Sequence, residues 1–189
     1  FYLSFEKKCL EYLKSYFNLR IWVAGCSTGE EAYSIALLLN RNQLFKKSII
    51  YGTDINTDVL EFAKSGIYPI DDFNTPIKNF ESLNFDLNSF INQNKQLVIP
   101  TDLKKNIYFA KHSLAKDKSF NSFQIISCRN TLIYFNEDLQ KKVFQLFDES
   151  LEVLGFLCLG SAENLWVPEI KKKYKIIDAA NRIYQKITL

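Results

Sequence analysis

The sequence predicts an α/β fold whose sheet is mostly parallel. Three short apolar runs, which begin at Ile21, Ile49 and Phe123, fit buried strands, and each leads through a polar or glycine-containing turn into a helical pattern. Strands that alternate with helices in this way are typical of parallel sheets. Such sheets bind ligands in the crevice outside the carboxyl ends of their strands. We therefore expect the three turns to meet at one binding site.

The first strand-turn-helix unit, residues 20–40, indicates a cofactor pocket. Its apolar strand, residues 21–24, ends at Gly25, and a helix with regularly spaced apolar residues follows directly. A glycine at this point lets the backbone approach a ligand closely. The helix start, residues 28–31, points unpaired N–H donors into the same crevice.

The same helix start also permits a purely structural interpretation. Ser27 with Glu30, and Thr28 with Glu31, have the spacing of a capping box, in which side chains satisfy the free amides of the first turn. Caps of this kind are common, so the spacing alone leaves capping and ligand binding open. The second and third units favour ligand binding, because each adds polar side chains at a strand end.

The second unit places an acid at the end of a strand, where residues 49–51 lead into Gly52, Thr53 and Asp54. In doubly wound sheets an acid at this point accepts hydrogen bonds from ribose hydroxyls. The first turn lacks two of the three glycines of the dinucleotide fingerprint, and Asp54 follows Gly25 by more than the roughly 20 residues of that pattern. A nucleoside cofactor without phosphates, such as S-adenosylmethionine, needs the acid but not the glycines.

The third unit, residues 123–140, ends its buried strand in the polar residues Cys128, Arg129 and Asn130. Their place at the carboxyl end of a central strand suits ligand binding. An ordinary solvated loop is the alternative for Arg129 and Asn130. Tyr134 in the following turn could equally be a core residue, since the chain contains 10 tyrosines.

The last part of the chain predicts a long helix, a strand and a closing hairpin. Apolar residues from Leu139 to Leu151 keep helical spacing, and Gly155 interrupts the pattern. Strands are predicted after it at residues 156–159, 174–177 and 182–187.

Four blocks of the sequence resemble those of the CheR family, the chemotaxis receptor methyltransferases that esterify glutamates with a methyl group from S-adenosylmethionine. The blocks occur in family order between Arg20 and Leu165, and they read GCSTGEEAYSIALLL, YGTDINTDVLEFAKSGIY, FQIISCRNTLIYFNEDLQ and LGFLCLGSAENL. The resemblance implies a Rossmann-like S-adenosylmethionine-dependent methyltransferase fold. Its seven-stranded sheet is mostly parallel with an antiparallel last strand, and a small insertion is expected at about residues 67–105.

The resemblance also implies the residues of the site. The active-site tyrosine falls on Tyr134, and the cofactor contacts fall on Glu31 or its neighbour Glu30, Asp54, Ser113 with Leu114, and Cys128 with Arg129. The chain departs from the family pattern at Ala32, at Ser113 and in the run Ser161, Ala162 and Glu163, where the family has proline, asparagine and His-Ser-Glu. An arginine-bearing segment and a helical domain that precede the first helix in the family are not visible. We expect residues 1–189 to be one catalytic domain of a longer protein.

The expected insertion contains no glycine, and none occurs anywhere in residues 67–154. Family members that grip a short peptide at the end of the receptor resemble one another in having glycines in a hairpin of this insertion. The sequence therefore predicts an insertion that does not bind such a tether.

Composition excludes several classes of protein. The charge of +3 is too small to favour nucleic-acid binding, no apolar run is long enough to span a membrane, and no C-x-x-C pair predicts zinc. A nicotinamide oxidoreductase is disfavoured by the missing glycines. A nucleophile with a histidine base would depend on His112, the single histidine.

These expectations combine into one functional hypothesis. The resemblance implies an enzyme that methylates glutamates on the cytoplasmic methylation helices of chemoreceptors and releases S-adenosylhomocysteine. We expect it to be a monomer, and the sequence, which has no membrane-spanning run and no signal-like start, predicts a cytoplasmic location. Two alternatives remain open: a catalytically silent adaptor that binds S-adenosylmethionine as a signal, and a methyltransferase with another substrate.

Overall fold

The centre of the protein is one sheet of seven strands, in a computed structural model that describes residues 1–69 and 85–189. The strands of the chain are β1 Leu19–Ala24, β2 Ser48–Asp54, β3 Ile67–Pro69, β4 Gln96–Val98, β5 Ile107–Lys111, β6 Phe123–Cys128, β7 Leu151–Leu159, β8 Tyr174–Asp178 and β9 Ile183–Lys186. The order across the sheet is β5-β2-β1-β6-β7-β9-β8. The first five of these pair in parallel, and β9 is antiparallel to both of its neighbours. The expected α/β fold with an antiparallel last strand is confirmed.

Helices cover both faces of this sheet. The amino-terminal helix α1 consists of Tyr2–Phe5, a π-helical stretch Glu6–Leu10, and Glu11–Leu13, and the others are α2 Glu30–Arg41, α3 Thr57–Ser65, α4 Thr101–Lys104, α5 Glu137–Ser150 and α6 Pro168–Lys171. Short 3-10 turns occur at Phe45–Lys47, Leu87–Phe90 and Leu132–Tyr134. Across the described ranges, the helices lack the length and apolar character that a membrane span requires.

Two apolar layers hold the helices against the sheet. The layer that contains α1 and α2 buries Phe5, Ile35 and Leu39 completely. The layer beneath α5 buries Trp22 and Phe147. Burial of such a side chain contributes about 1.5–3 kcal/mol relative to leaving it exposed, so the periodic apolar positions seen in the sequence account for the packing of both helices.

The long helix and the following strand meet earlier than the sequence pattern predicts. Helix α5 ends at Ser150, and Leu151, which was expected on the helix, is the first residue of β7. The register of β7 with β6 shifts between Leu151 and Phe156. A Cβ at Gly155 would lie 2.9 Å from the Glu152 carbonyl oxygen, so glycine is required by this irregular stretch. Apolar spacing does not separate the end of a buried helix from the start of a buried strand.

The expected insertion begins with an antiparallel pair outside the main sheet. Ile67 of β3 pairs with Val98 of β4, and the amide of Ile99 donates to the carbonyl of Gly66 at 2.8 Å. Residues 70–84 of the insertion lie outside the described residues.

Candidate functional site

A cavity of about 490 Å³ lies at the carboxyl ends of the parallel strands. Its volume is in the range of small-molecule sites, about 300–1,000 Å³. All three turns singled out in the sequence contribute to its wall, together with the segment after β5. The lining residues are Gly25, Ser27, Asp54, Ile55, His112, Ser113, Leu114, Ala115, Arg129, Asn130, Thr131, Tyr134 and Phe135.

The start of α2 is not closed by a capping box. The residue before the helix is Gly29, with φ of 91°, and no side chain accepts a hydrogen bond from the first turn there. The Thr28 hydroxyl donates to the carboxylate of Glu30 at 2.6 Å. Glu31 points to residues of the third unit. The capping-box interpretation of the two carboxylates is therefore wrong.

Gly25 is required by a neighbouring side chain. Its φ is 72°, in the left-handed region, and a Cβ there would lie 2.3 Å from Oγ1 of Thr131. From the sequence, the close approach expected at this glycine is that of a ligand. The structure shows that the first turn and the turn after β6 are packed backbone against side chain at this point.

Asp54 connects the first two units through its carboxylate. Oδ2 accepts a hydrogen bond from the Ser27 amide at 2.9 Å, and Oδ1 accepts one from the Asn56 amide at 3.0 Å. An ionised carboxylate has about four acceptor positions, so each oxygen retains a free lone pair. Asp54 is thus held rigidly in the cavity wall with acceptor capacity left over.

Glu31 and Arg129 form an ion pair beside the cavity. Nη1 of Arg129 lies 2.9 Å from Oε2 of Glu31, and the Ser127 hydroxyl donates to Oε1 at 2.6 Å. The guanidinium also stacks on the ring of Phe1, 3.9 Å from its centre. Burial lowers the pKa of Arg129 and the Glu31 carboxylate raises it, and the net result is a pKa above the usual arginine value. The pair fixes the orientation of Arg129 in the cavity wall.

Three buried side-chain polar atoms of the described residues have no hydrogen-bond partner, and all three belong to cavity-lining residues: Nδ1 of His112, Oγ of Ser113 and Nε of Arg129. Leaving such an atom unpaired costs about 1–3 kcal/mol. Nε2 of His112 lies 3.1 Å from the Lys118 carbonyl, an arrangement in which the neutral imidazole donates from Nε2 and has Nδ1 as an acceptor. The wall therefore offers acceptors and a cationic donor to a ligand that has both amines and a carboxylate.

The remaining predicted site residues differ in their placement. Leu114 lies in the cavity wall, and Tyr134 stands at the rim with 81% of its surface exposed, so it is not a core residue. Cys128 is completely buried at the end of β6, and burial raises the pKa of its thiol well above the usual value. Glu30 and Cys128 are outside the cavity wall, and Glu31 reaches it through Arg129.

One residue of this region has no role assigned to it by the sequence. Glu163, which is buried in the loop after β7, accepts hydrogen bonds from four backbone amides. The signal available in the sequence was an isolated carboxylate between two apolar stretches, directly after a buried strand.

The strand order and the position of the cavity define the class of protein. Solved structures with the same fold include the glycopeptide N-methyltransferase MtfA complexed with sinefungin, with TM-score 0.50, 10% identity, and 82% of this chain and 48% of that chain covered. Another is StiE O-MT, with TM-score 0.50, 14% identity, and 83% and 40% covered. The fold is that of the S-adenosylmethionine-dependent methyltransferases.

The family follows from the sequence of the whole domain. The family model described as CheR methyltransferase, SAM binding domain, matches residues 4–183, and the chain belongs to this family. It is therefore an S-adenosylmethionine-dependent methyltransferase. The amines, ribose hydroxyls and carboxylate of S-adenosylmethionine fit the unpaired acceptors, the Asp54 carboxylate and the guanidinium of the cavity wall.

Three bacterial proteins are similar in sequence to this chain. A Pseudomonas putida protein that carries the name methyltransferase Cher3 is 37% identical over 192 residues, which cover 98% of this chain and 69% of the relative. The chemotaxis protein methyltransferase of Borreliella burgdorferi is 36% identical, with 78% and 53% covered. That of Listeria innocua is 33% identical, with 80% and 56% covered. The chain thus spans about half the length of the two chemotaxis enzymes.

Proposed function

We propose that the protein transfers the methyl group of S-adenosylmethionine to glutamate side chains on the cytoplasmic methylation helices of chemoreceptors. Residues 1–189 form its catalytic domain, and the reaction takes place in the cytoplasm. The observation that carries the proposal is the exposure of Tyr134 at the rim of the cavity, because an open rim admits a side chain presented by a protein. The chemotaxis methyltransferases among the relatives support the substrate class.

Each end of the cofactor has a proposed partner in the wall. Asp54 accepts hydrogen bonds from the ribose hydroxyls, as acids at the end of a second strand do in related sheets. Arg129, held by Glu31, binds the carboxylate of the methionyl part. Ser113 and Leu114 contact the base, while Glu30 and Cys128 contribute by supporting the first turn and the end of β6. When bound, the cofactor supplies a methyl group activated by its sulfonium.

Methyl transfer to a glutamate carboxylate requires no proton transfer by the protein. A glutamate carboxylate has a pKa of about 4.3 and is ionised at neutral pH, so it needs no general base. The protein must align the carboxylate with the methyl group and exclude water, and good alignment can supply about 7–11 kcal/mol of the barrier. We assign Tyr134 to this alignment at the methyl end, because it is the proposed site residue that lies at the rim.

The test is transfer of radiolabelled methyl groups from S-adenosylmethionine to purified cytoplasmic fragments of chemoreceptors. We expect label that is released by mild base, as a methyl ester is, and that disappears when glutamates of the methylation helices are replaced by alanine. Binding of S-adenosylhomocysteine without any transfer would favour the silent adaptor. Label that persists in the alanine-substituted fragments would indicate another substrate.

A further inference from the structure

The carboxylate of Glu163 is surrounded by backbone donors. Oε1 accepts from the amides of Thr131 at 2.8 Å and Leu132 at 2.7 Å, and Oε2 accepts from Asn130 at 3.1 Å and Gly160 at 2.6 Å. Three of these four amides belong to the turn after β6, and the fourth follows β7. A carboxylate is the one side chain that accepts on every side of both oxygens, so it can satisfy this many donors at once.

Two of the three amides directly precede the 3-10 turn Leu132–Tyr134, and the third belongs to its first residue. This turn carries the proposed active-site tyrosine. The first amides of a helical turn have no partner within the turn. Thr131, which precedes the turn, makes no capping bond with its side chain. Glu163 therefore takes the place of a cap, although it is supplied by a loop that follows a different strand.

The other end of the same turn is also held. The amide nitrogen of the Gln140 side chain donates to the carbonyls of Leu132 and Phe135, at 3.0 Å each. The backbone of Tyr134 is thus fixed from both sides while its side chain is exposed. We call the contacts of Glu163 and Gln140 with the two ends of this turn the clamp. Gly160 leaves space for it, because a Cβ there would lie 2.5 Å from Oδ1 of Asn130 and 2.7 Å from Oε2 of Glu163.

We propose that Glu163 is a positioning residue for methyl transfer, which acts by holding the turn that places Tyr134 at the methyl end of the cavity. The proposal rests on the function proposed above. Because Glu163 is absent from the cavity wall, its loss should affect the rate of transfer more than the affinity for the cofactor.

The experiment is the substitution Glu163→Gln in the intact protein. The glutamine side chain has the size of glutamate but carries an NH₂ donor in place of one acceptor oxygen. Some of the four backbone amides that bind Glu163 therefore lose their acceptor. The matched control is Asp148→Asn, which also neutralises a buried carboxylate, one that lies on α5 and binds Lys173, Tyr174 and Lys186. The measurements are kcat for methylation of receptor fragments and Kd for S-adenosylhomocysteine.

We expect Glu163→Gln to lower kcat by about tenfold or more and to change Kd by less than about threefold, with Asp148→Asn close to wild type in both. In a Tyr134→Phe background, Glu163→Gln should lower kcat further by less than about threefold, because interacting residues are not additive. Unchanged kcat, equal loss in the control, or full additivity with Tyr134→Phe would each overturn the proposal.

Two further measurements keep the proposal testable. If Glu163→Gln does not fold, the second variant is Gln140→Ala, which removes the α5 side chain that donates to the carbonyls of Leu132 and Phe135. It must lower kcat in the same non-additive way, and an unchanged kcat contradicts the proposal. If wild type methylates no receptor fragment, the proposed function fails separately. The ¹⁹F signal of 3-fluorotyrosine at position 134 then decides, since the clamp predicts a shift in Glu163→Gln and none in Asp148→Asn.

Discussion

The carboxylate of Glu31 lies 2.9 Å from the guanidinium of Arg129, although 98 positions separate the two residues in the chain. Glu31 belongs to the first turn of α2, and Arg129 follows the last residue of β6. Parallel pairing of β1 with β6 brings these two segments to the same edge of the sheet. The ion pair is thus a product of the sheet, and it orients a cationic donor into the cavity.

Neutralising Glu31 should weaken cofactor binding. In Glu31→Gln, Arg129 keeps its charge but loses its counter-ion, and hydrogen bonds to charged groups are worth about 1.5–3 kcal/mol. We expect the Kd for S-adenosylhomocysteine to rise by about tenfold or more in titration calorimetry. Glu30→Gln, at the neighbouring position, changes a carboxylate that accepts from the Thr28 hydroxyl and is outside the cavity wall, so it should have a smaller effect. Equal effects of the two substitutions would contradict the assignment to Glu31.

The loss of Asp54 should reduce affinity through the ribose. Asp54→Asn leaves one acceptor oxygen. The amide of Ser27, the amide of Asn56 and the ligand must then compete for it. We expect a rise in Kd for S-adenosylhomocysteine of about tenfold, equivalent to about 1.4 kcal/mol. Asp58→Asn, an exposed residue in the first turn of α3, is the matched control and should bind normally. Normal binding by Asp54→Asn would exclude its role.

Removing the hydroxyl of Tyr134 should separate binding from catalysis. The residue is at the rim, so Tyr134→Phe should leave Kd for S-adenosylhomocysteine within about twofold of wild type while kcat falls by about tenfold or more. Tyr108→Phe removes the hydroxyl of another exposed tyrosine, which lies on β5 outside the cavity wall, and should change neither quantity. An unchanged kcat in Tyr134→Phe rejects the proposed alignment role.

Alkaline pH should destabilise the fold through buried acids. Burial raises the pKa of Tyr2 to about 12, and burial with the nearby Asp54 raises that of Cys26 to about 12. In the unfolded chain the tyrosine has a pKa of about 10 and the cysteine one of about 8.5. The raised values favour the neutral forms in the folded state, so their stabilisation is complete below the unfolded pKa and is lost as pH rises toward 12.

The measurement for this prediction is Tm as a function of pH, followed by circular dichroism. Tm should fall from about pH 9 upward, at about 2–4 °C per kcal/mol for a domain of this size. The decline should be shallower in Cys26→Ala, since that variant has one fewer buried acid. Parallel curves for wild type and Cys26→Ala would show that Cys26 does not contribute.

The glycine-free insertion should lack affinity for a receptor tail. We expect no binding of a peptide from the carboxyl terminus of a chemoreceptor at micromolar concentration, which corresponds to less than about 8 kcal/mol of binding free energy. Fluorescence anisotropy of a labelled peptide measures this directly, and a scrambled peptide is the control. Micromolar affinity for the native peptide alone would show the prediction to be wrong.

Much of the fold was predictable because it depends on local patterns. The strands at 21–24, 49–51 and 123–126 were visible as apolar runs, and Asp54 was visible as the acid that closes one of them. The start of β7 at Leu151 was not, since a buried helix end and a buried strand start have the same composition.

The sequence alone determined the strand-turn-helix units and the polar residues at their ends, because period and turn chemistry are properties of neighbouring residues. The tertiary structure decided the contacts between those ends: Thr131 against Gly25, Glu31 with Arg129, and Glu163 with the amides of the turn at residues 130–132. These contacts join residues far apart in the chain, and their geometry exists only once the strands have paired in register.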